Sequence, residues 1–89
     1  MNETAVMGVV VAHHADRGYG WLRRVEGRKG IRPDLFFHTR DCRGEVGESF
    51  DTVFHRLRPG MYVEFVAIET GRGPRAIDVR LIQEQEMRQ

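Results

Sequence analysis

The apolar residues of this 89-residue chain gather into short β-branched and aromatic runs, each closed by glycine, proline or aspartate. "AVMGVVVAH" (5–13), "YGWLRRV" (19–25), "LFFH" (35–38), "MYVEFVAIE" (61–69) and "AIDVRLI" (76–82) are of strand length and composition. In the last of these, alternation puts Ile77, Val79 and Leu81 on one side. "ADRG" (15–18) and "TGRGPR" (70–75) are turn signals, and "EGRKGIRPD" (26–34) reads as a loop. Residues 39–60 are mixed in charge and contain glycine, and they read as a loop with one helical turn. No long helical pattern competes with the strands. Short strands at this spacing predict a small all-β barrel, in which closure removes exposed sheet edges.

A chain of this length predicts a single domain with a modest core, here over residues 6–82, followed by a polar tail over 83–89. There is no apolar run of about eighteen residues, which excludes a membrane-spanning helix. "MNETAVMG" lacks the basic flank and apolar stretch of a signal peptide, and the one cysteine, Cys42, has no internal disulfide partner. Together these predict a cytoplasmic setting. The net charge is only +1, so bulk charge names no partner. Local charge is more informative. From Arg17 to Arg32 there are six positive residues against one negative, Glu26, while the rest of the chain is net acidic.

Strand alternation sorts the aromatic residues. Leu22, Leu35 and Phe37 fall on one side and predict a barrel filling. Tyr19, Trp21, Phe36 and His38 fall on the other, where a bare aromatic cluster marks a binding surface. Bases of a single strand stack on flat side chains, contributing roughly 1–3 kcal/mol each. Gly18 and Gly20 are expected to let a nucleic-acid strand approach the backbone, and Arg17 and the arginines beyond Leu22 to contact phosphates.

These residues carry a resemblance to the cold-shock domain, a five-stranded OB-fold barrel that binds single-stranded RNA and DNA. "GVVVAHHADRGYGWL" (8–22) follows G-x-V-K-W-F-N-x-x-K-G-F-G-F-I, and "DLFFH" (34–38) follows D-V-F-V-H. "LRPGMYVEF" (57–65) is similar to L-x-x-G-x-x-V-x-F, and "GRGPRAIDV" (71–79) follows the R-G-P-Q-A-x-N-V pattern with Arg75 at the glutamine, where Arg72 and Arg75 are expected near the ligand groove and Arg75 to bind nucleic acid. The resemblance implies a small, antiparallel five-stranded OB-fold barrel. It implies stacking positions at Tyr19, Trp21, Phe36 and His38, with Arg17 in place of the motif lysine. Phe54 takes the place of a loop aromatic that also stacks. In the first strand the K-W-F-N of the family reads Val11, Ala12, His13 and His14, so Ala12 stands at a stacking tryptophan and His13 at a phenylalanine, which implies a nucleic-acid-binding role for His13. Thr39 stands where relatives often have a further phenylalanine. The platform is therefore reduced, and Arg28, Lys29 and Arg32 of the first long loop are expected to add charge to it.

Other chemistries find less support. The histidines and Cys42 show no C-x-x-C or H-x-x-x-H spacing, and His13 and His14 point to opposite faces, so no metal is expected. No nucleophile, base and orienting group can be assembled from the spacing, so neither an enzyme nor a small-molecule substrate or cofactor is expected. The expectation is a protein that binds single-stranded RNA or DNA, as an RNA chaperone or a regulator of gene expression, acting as a monomer or a homodimer. The alternative is a protein-interaction or oligomerising OB-fold module whose aromatic face meets another protein.

Overall fold

A computed structural model describes residues 5–25 and 33–82. The strands are β1 (Val6–His14), β2 (Tyr19–Arg24), β3 (Leu35–His38), β4 (Tyr62–Thr70) and β5 (Gly73–Leu81). Between β3 and β4 lie a 3-10 turn (Thr39–Asp41) and a helix, α1 (Phe50–Arg56). The strands close into a barrel in the order β1-β2-β3-β5-β4, the OB-fold arrangement. The small five-stranded antiparallel barrel is as expected, with one parallel pair in it: β3 and β5 pair in parallel, through Phe36 and Arg75. Parity requires it. Directions cannot alternate all the way round a ring with an odd number of strands, so one seam must be parallel. No helix among the described residues is long and apolar enough to cross a membrane.

The core is built from the inward row of each strand. Val10, Leu22, Leu35, Phe37, Val63, Phe65, Ala76 and Val79 are buried, as the alternation in β2 and β3 predicted for Leu22, Leu35 and Phe37. Complete burial of each large side chain contributes about 1.5–3 kcal/mol. The segment read as a loop with one helical turn instead holds a seven-residue helix, α1. Ser49 caps it, its Oγ accepting the Thr52 N–H at 3.1 Å, and Asp51 sits favourably in the first turn. The helix forms because Val53 and Phe54, with Leu57 just beyond its end, share one stripe that closes the barrel. That stripe is short and lies among charges, and so reads as a loop in sequence.

Two bulges override strict alternation. In β1, Val10 pairs with Leu22 but Ala12 pairs with Trp21, so Val11 is an extra residue and the faces exchange beyond it. In β5, Ile77 pairs with Val66 and Arg80 with Glu64, leaving Asp78 and Val79 opposite Phe65. Asp78 takes up the extra length at φ 51°. The expected row of Ile77, Val79 and Leu81 is therefore broken: Ala76 and Val79 are buried, while Ile77 and Leu81 are only partly so.

Two outcomes follow. Phe54→Ala removes a completely buried phenyl and is expected to cost about 3–5 kcal/mol, read as a lowered denaturant midpoint. Cys42 is buried beside Val79 and Asp41, and desolvation, followed by the Asp41 charge, pushes its thiol up from 9.0 to about 12. Below pH 9 both folded and unfolded thiols are protonated, so the contribution is intact. Between pH 9 and 12 only the unfolded thiol ionises, and stability falls. Denaturant midpoints at pH 8 and about pH 10 are expected to differ more for the wild type than for Cys42→Ala.

Candidate nucleic-acid interface

The β2–β3 register sets Tyr19 opposite His38 and Trp21 opposite Phe36, on the outward face. The Tyr19 and Phe36 rings are 5.6 Å apart and inclined by 29°. Trp21 meets Phe36 edge-on at 5.7 Å and 74°. Trp21 is 36% exposed, whereas Leu22 directly beside it is wholly buried, so alternation alone separates platform from core here. His14, paired with Tyr19, extends the surface with its ring 4.7 Å from the phenol. The sequence reading missed His14 because the bulge at Val11, which sets its face, leaves no composition signal.

The same bulge corrects the role expected of His13. It pairs with Gly20, on the inward side. Its ring lies 4.5 Å from that of Phe54, and its Nε2 donates to the Phe54 carbonyl at 2.8 Å. His13 thus fastens the first strand to α1 and stands apart from the platform. Phe54 is likewise corrected: it is completely buried and offers no face to a base. The exposed phenyl of α1 is Phe50.

Gly18 and Gly20 are required by the barrel itself, which corrects the expectation that they open the backbone to a ligand. A Cβ on Gly20 would come within 2.6 Å of the Ala12 carbonyl and 2.8 Å of the Phe37 ring. Gly18 has φ 78°, in the left-handed region that favours glycine, and closes the turn by donating its N–H to the His14 carbonyl. Thr39 locks that turn to the end of β3, its N–H and Oγ1 both donating to the Gly18 carbonyl at 2.9 Å.

His38 is held by the 3-10 turn that follows it. Its Nδ1 accepts the Arg40 N–H at 3.1 Å, which assigns the ring proton of neutral His38 to Nε2. Its own N–H donates to Asp41 Oδ2 at 2.8 Å. That oxygen also accepts from Arg75 Nε at 3.0 Å. The Arg75 guanidinium lies over Phe36, 5.6 Å from the ring centre. Beside it runs a groove of about 240 Å³ between Trp21, Phe36, Arg72 and Arg75, with the Thr70–Gly73 turn as its wall. Thr70 Oγ1 stiffens that turn by donating to Gly73 O at 2.8 Å and accepting from Arg72 N at 3.0 Å.

Charge around the platform is partly neutralised. Arg23 forks onto Asp34 with contacts of 3.0 and 3.2 Å, so it is less available to a phosphate than the sequence suggested. Arg17 is exposed on the β1–β2 turn. Arg28, Lys29 and Arg32 lie outside the described residues. Among the described residues, no group of three or more His, Cys, Asp or Glu side chains could hold a metal ion.

A closed OB barrel with an aromatic platform on β2 and β3 belongs to a class whose strand 2–3 face meets oligonucleotides. The chain is a member of the cold-shock domain family: residues 6–82 match the family described as "'Cold-shock' DNA-binding domain". It is also 34% identical over 77 residues to a protein named "Cold shock-like protein" from Aquifex aeolicus (strain VF5). That alignment covers 86% of this chain and 94% of the relative.

Proposed function

We propose that this protein binds single-stranded RNA or DNA by stacking unpaired bases on Tyr19, Trp21, Phe36 and His38, with His14 extending the platform. The observation that carries the reading is the outward clustering of these rings on two strands whose opposite-face residues Gly20, Leu22, Leu35 and Phe37 are buried. Arg17, Arg72 and Arg75 border the bases. Arg28, Lys29 and Arg32 follow β2 in the sequence, and they supply phosphate contacts. Holding unpaired strands opposes hairpin formation, which suits an RNA chaperone or a regulator of gene expression. No cofactor takes part.

Titration with short single-stranded oligonucleotides is expected to quench Trp21 fluorescence, because a stacked base touches the indole; a duplex of equal length is not. Phe36→Ala and Tyr19→Ala are each expected to weaken binding by about 1–3 kcal/mol while the barrel stays folded. Absence of quenching and of binding at low salt would instead assign the aromatic face to a protein partner.

The division of binding energy is also testable. Ala12 pairs with Trp21 on the outward face, where a larger ring would widen the platform. Ala12→Trp is expected to strengthen binding by about 1 kcal/mol with unchanged salt dependence, since a stacked ring releases no counterion. Neutralising Arg28, Lys29 and Arg32 together is expected to weaken all sequences alike. It should also flatten the slope of log K against log salt by up to about 2, at roughly 0.7 per phosphate contact.

A further inference from the structure

We infer that Arg75 makes the groove beside Trp21 and Phe36 selective for guanine, and that Asp41 positions it to do so. The inference rests on the single-strand-binding reading and names a base preference within it. Asp41 engages Arg75 through Nε alone, at 3.0 Å. This differs from the Arg23–Asp34 pair, where Nε and Nη2 are both occupied. Among the described residues the two Nη groups of Arg75 make no hydrogen bond. They remain as a fork of parallel N–H donors with the guanidinium fixed on one side by Asp41 and on its face by Phe36. The Asp41 side chain is only 11% exposed and also accepts the His38 N–H, so its own position is determined by the 3-10 turn.

Three properties point this fork at a base and away from a phosphate. Asp41 offsets the guanidinium charge, which weakens attraction for an anion and leaves hydrogen bonding to a neutral acceptor intact. The guanidinium lies against Phe36, so ligand atoms that reach it belong to a base stacked on the platform. The groove, about 240 Å³ between Trp21, Phe36, Arg72 and the Thr70–Gly73 turn, admits one base. Guanine presents two neighbouring acceptors, O6 and N7, which an arginine fork meets with paired hydrogen bonds. At the same edge adenine offers one acceptor and one donor, and the donor opposes Nη. Cytosine has paired acceptors at O2 and N3, but its single ring covers less of the indole and phenyl faces. Thymine lacks an adjacent acceptor pair.

The test uses the whole chain and oligothymidine heptamers in which the central base is replaced by guanine, 7-deazaguanine, adenine or cytosine. Trp21 quenching reports the affinity of each. The wild-type protein is expected to prefer the guanine oligonucleotide over the all-thymine one by about tenfold, within the range of a paired arginine–guanine contact. The 7-deaza base keeps the ring and Watson–Crick edge but lacks the N7 acceptor, and it is expected to lose most of that preference. Arg75→Gln and Asp41→Asn are expected to bring the guanine-to-thymine ratio close to one, whatever happens to overall affinity. A purely structural role for Asp41 would weaken every oligonucleotide and leave the ratio unchanged. Equal affinity for guanine and 7-deazaguanine, a preference for cytosine, or a uniform loss in Arg75→Gln would overturn the inference and leave single-strand binding standing. Failure to bind any oligonucleotide would overturn both. The 7-deaza comparison needs no variant, so the inference stays testable even if a substitution unfolds the barrel.

Discussion

The close approach of Gly20 to Phe37 organises the rest of the molecule. The inward face of β2 has no room for a Cβ at this point, because the Phe37 ring and the Ala12 carbonyl fill the space. Phe37 is thereby held in the centre of the barrel, with Leu22 and Leu35 beside it. Alternation then leaves Tyr19, Trp21, Phe36 and His38 outside. Core and platform are two faces of the same contact. Residues that look too small to pack a core are what allows the core to close, and closing it is what displays the aromatics.

A second centre lies at the end of β3. The Asp41 carboxylate accepts the His38 N–H and the Arg75 Nε–H on one oxygen. It thus joins the 3-10 turn to the parallel seam with β5. That seam is forced by the odd number of strands, and it brings Arg75 over Phe36. A residue thirty-nine places beyond Phe36 in sequence becomes part of the aromatic surface through ring closure. The surface therefore combines rings set by local alternation with a cation set by topology.

The helix and the first strand form the third element of this arrangement. His13 reaches across to the Phe54 carbonyl and lies on its ring, tying β1 to the plug that closes the barrel. The bulge at Val11 makes this possible by exchanging the faces of β1, so that His13 turns inward while Ala12 and His14 turn toward Trp21 and Tyr19. The motif positions that look like part of a stacking platform are thus divided between packing and surface.

The strands, the Leu22–Leu35–Phe37 filling and the Tyr19–Trp21–Phe36–His38 face were all legible in the sequence, because each depends on period-two alternation between residues close along the chain. The family motifs placed Arg75 near the same surface. Only the tertiary structure decided what depends on closure. One extra residue at Val11 and another at Asp78 reverse the faces beyond them, and a bulge has no composition of its own. Whether Phe54 is a ring for stacking or a plug for the core depends on which open end of the barrel needs filling. Arg23 and Arg75 look alike as letters in the sequence. Their partners, Asp34 and Asp41, make one a closed fork and the other an open one, and that difference arises only when strands distant in sequence are brought side by side.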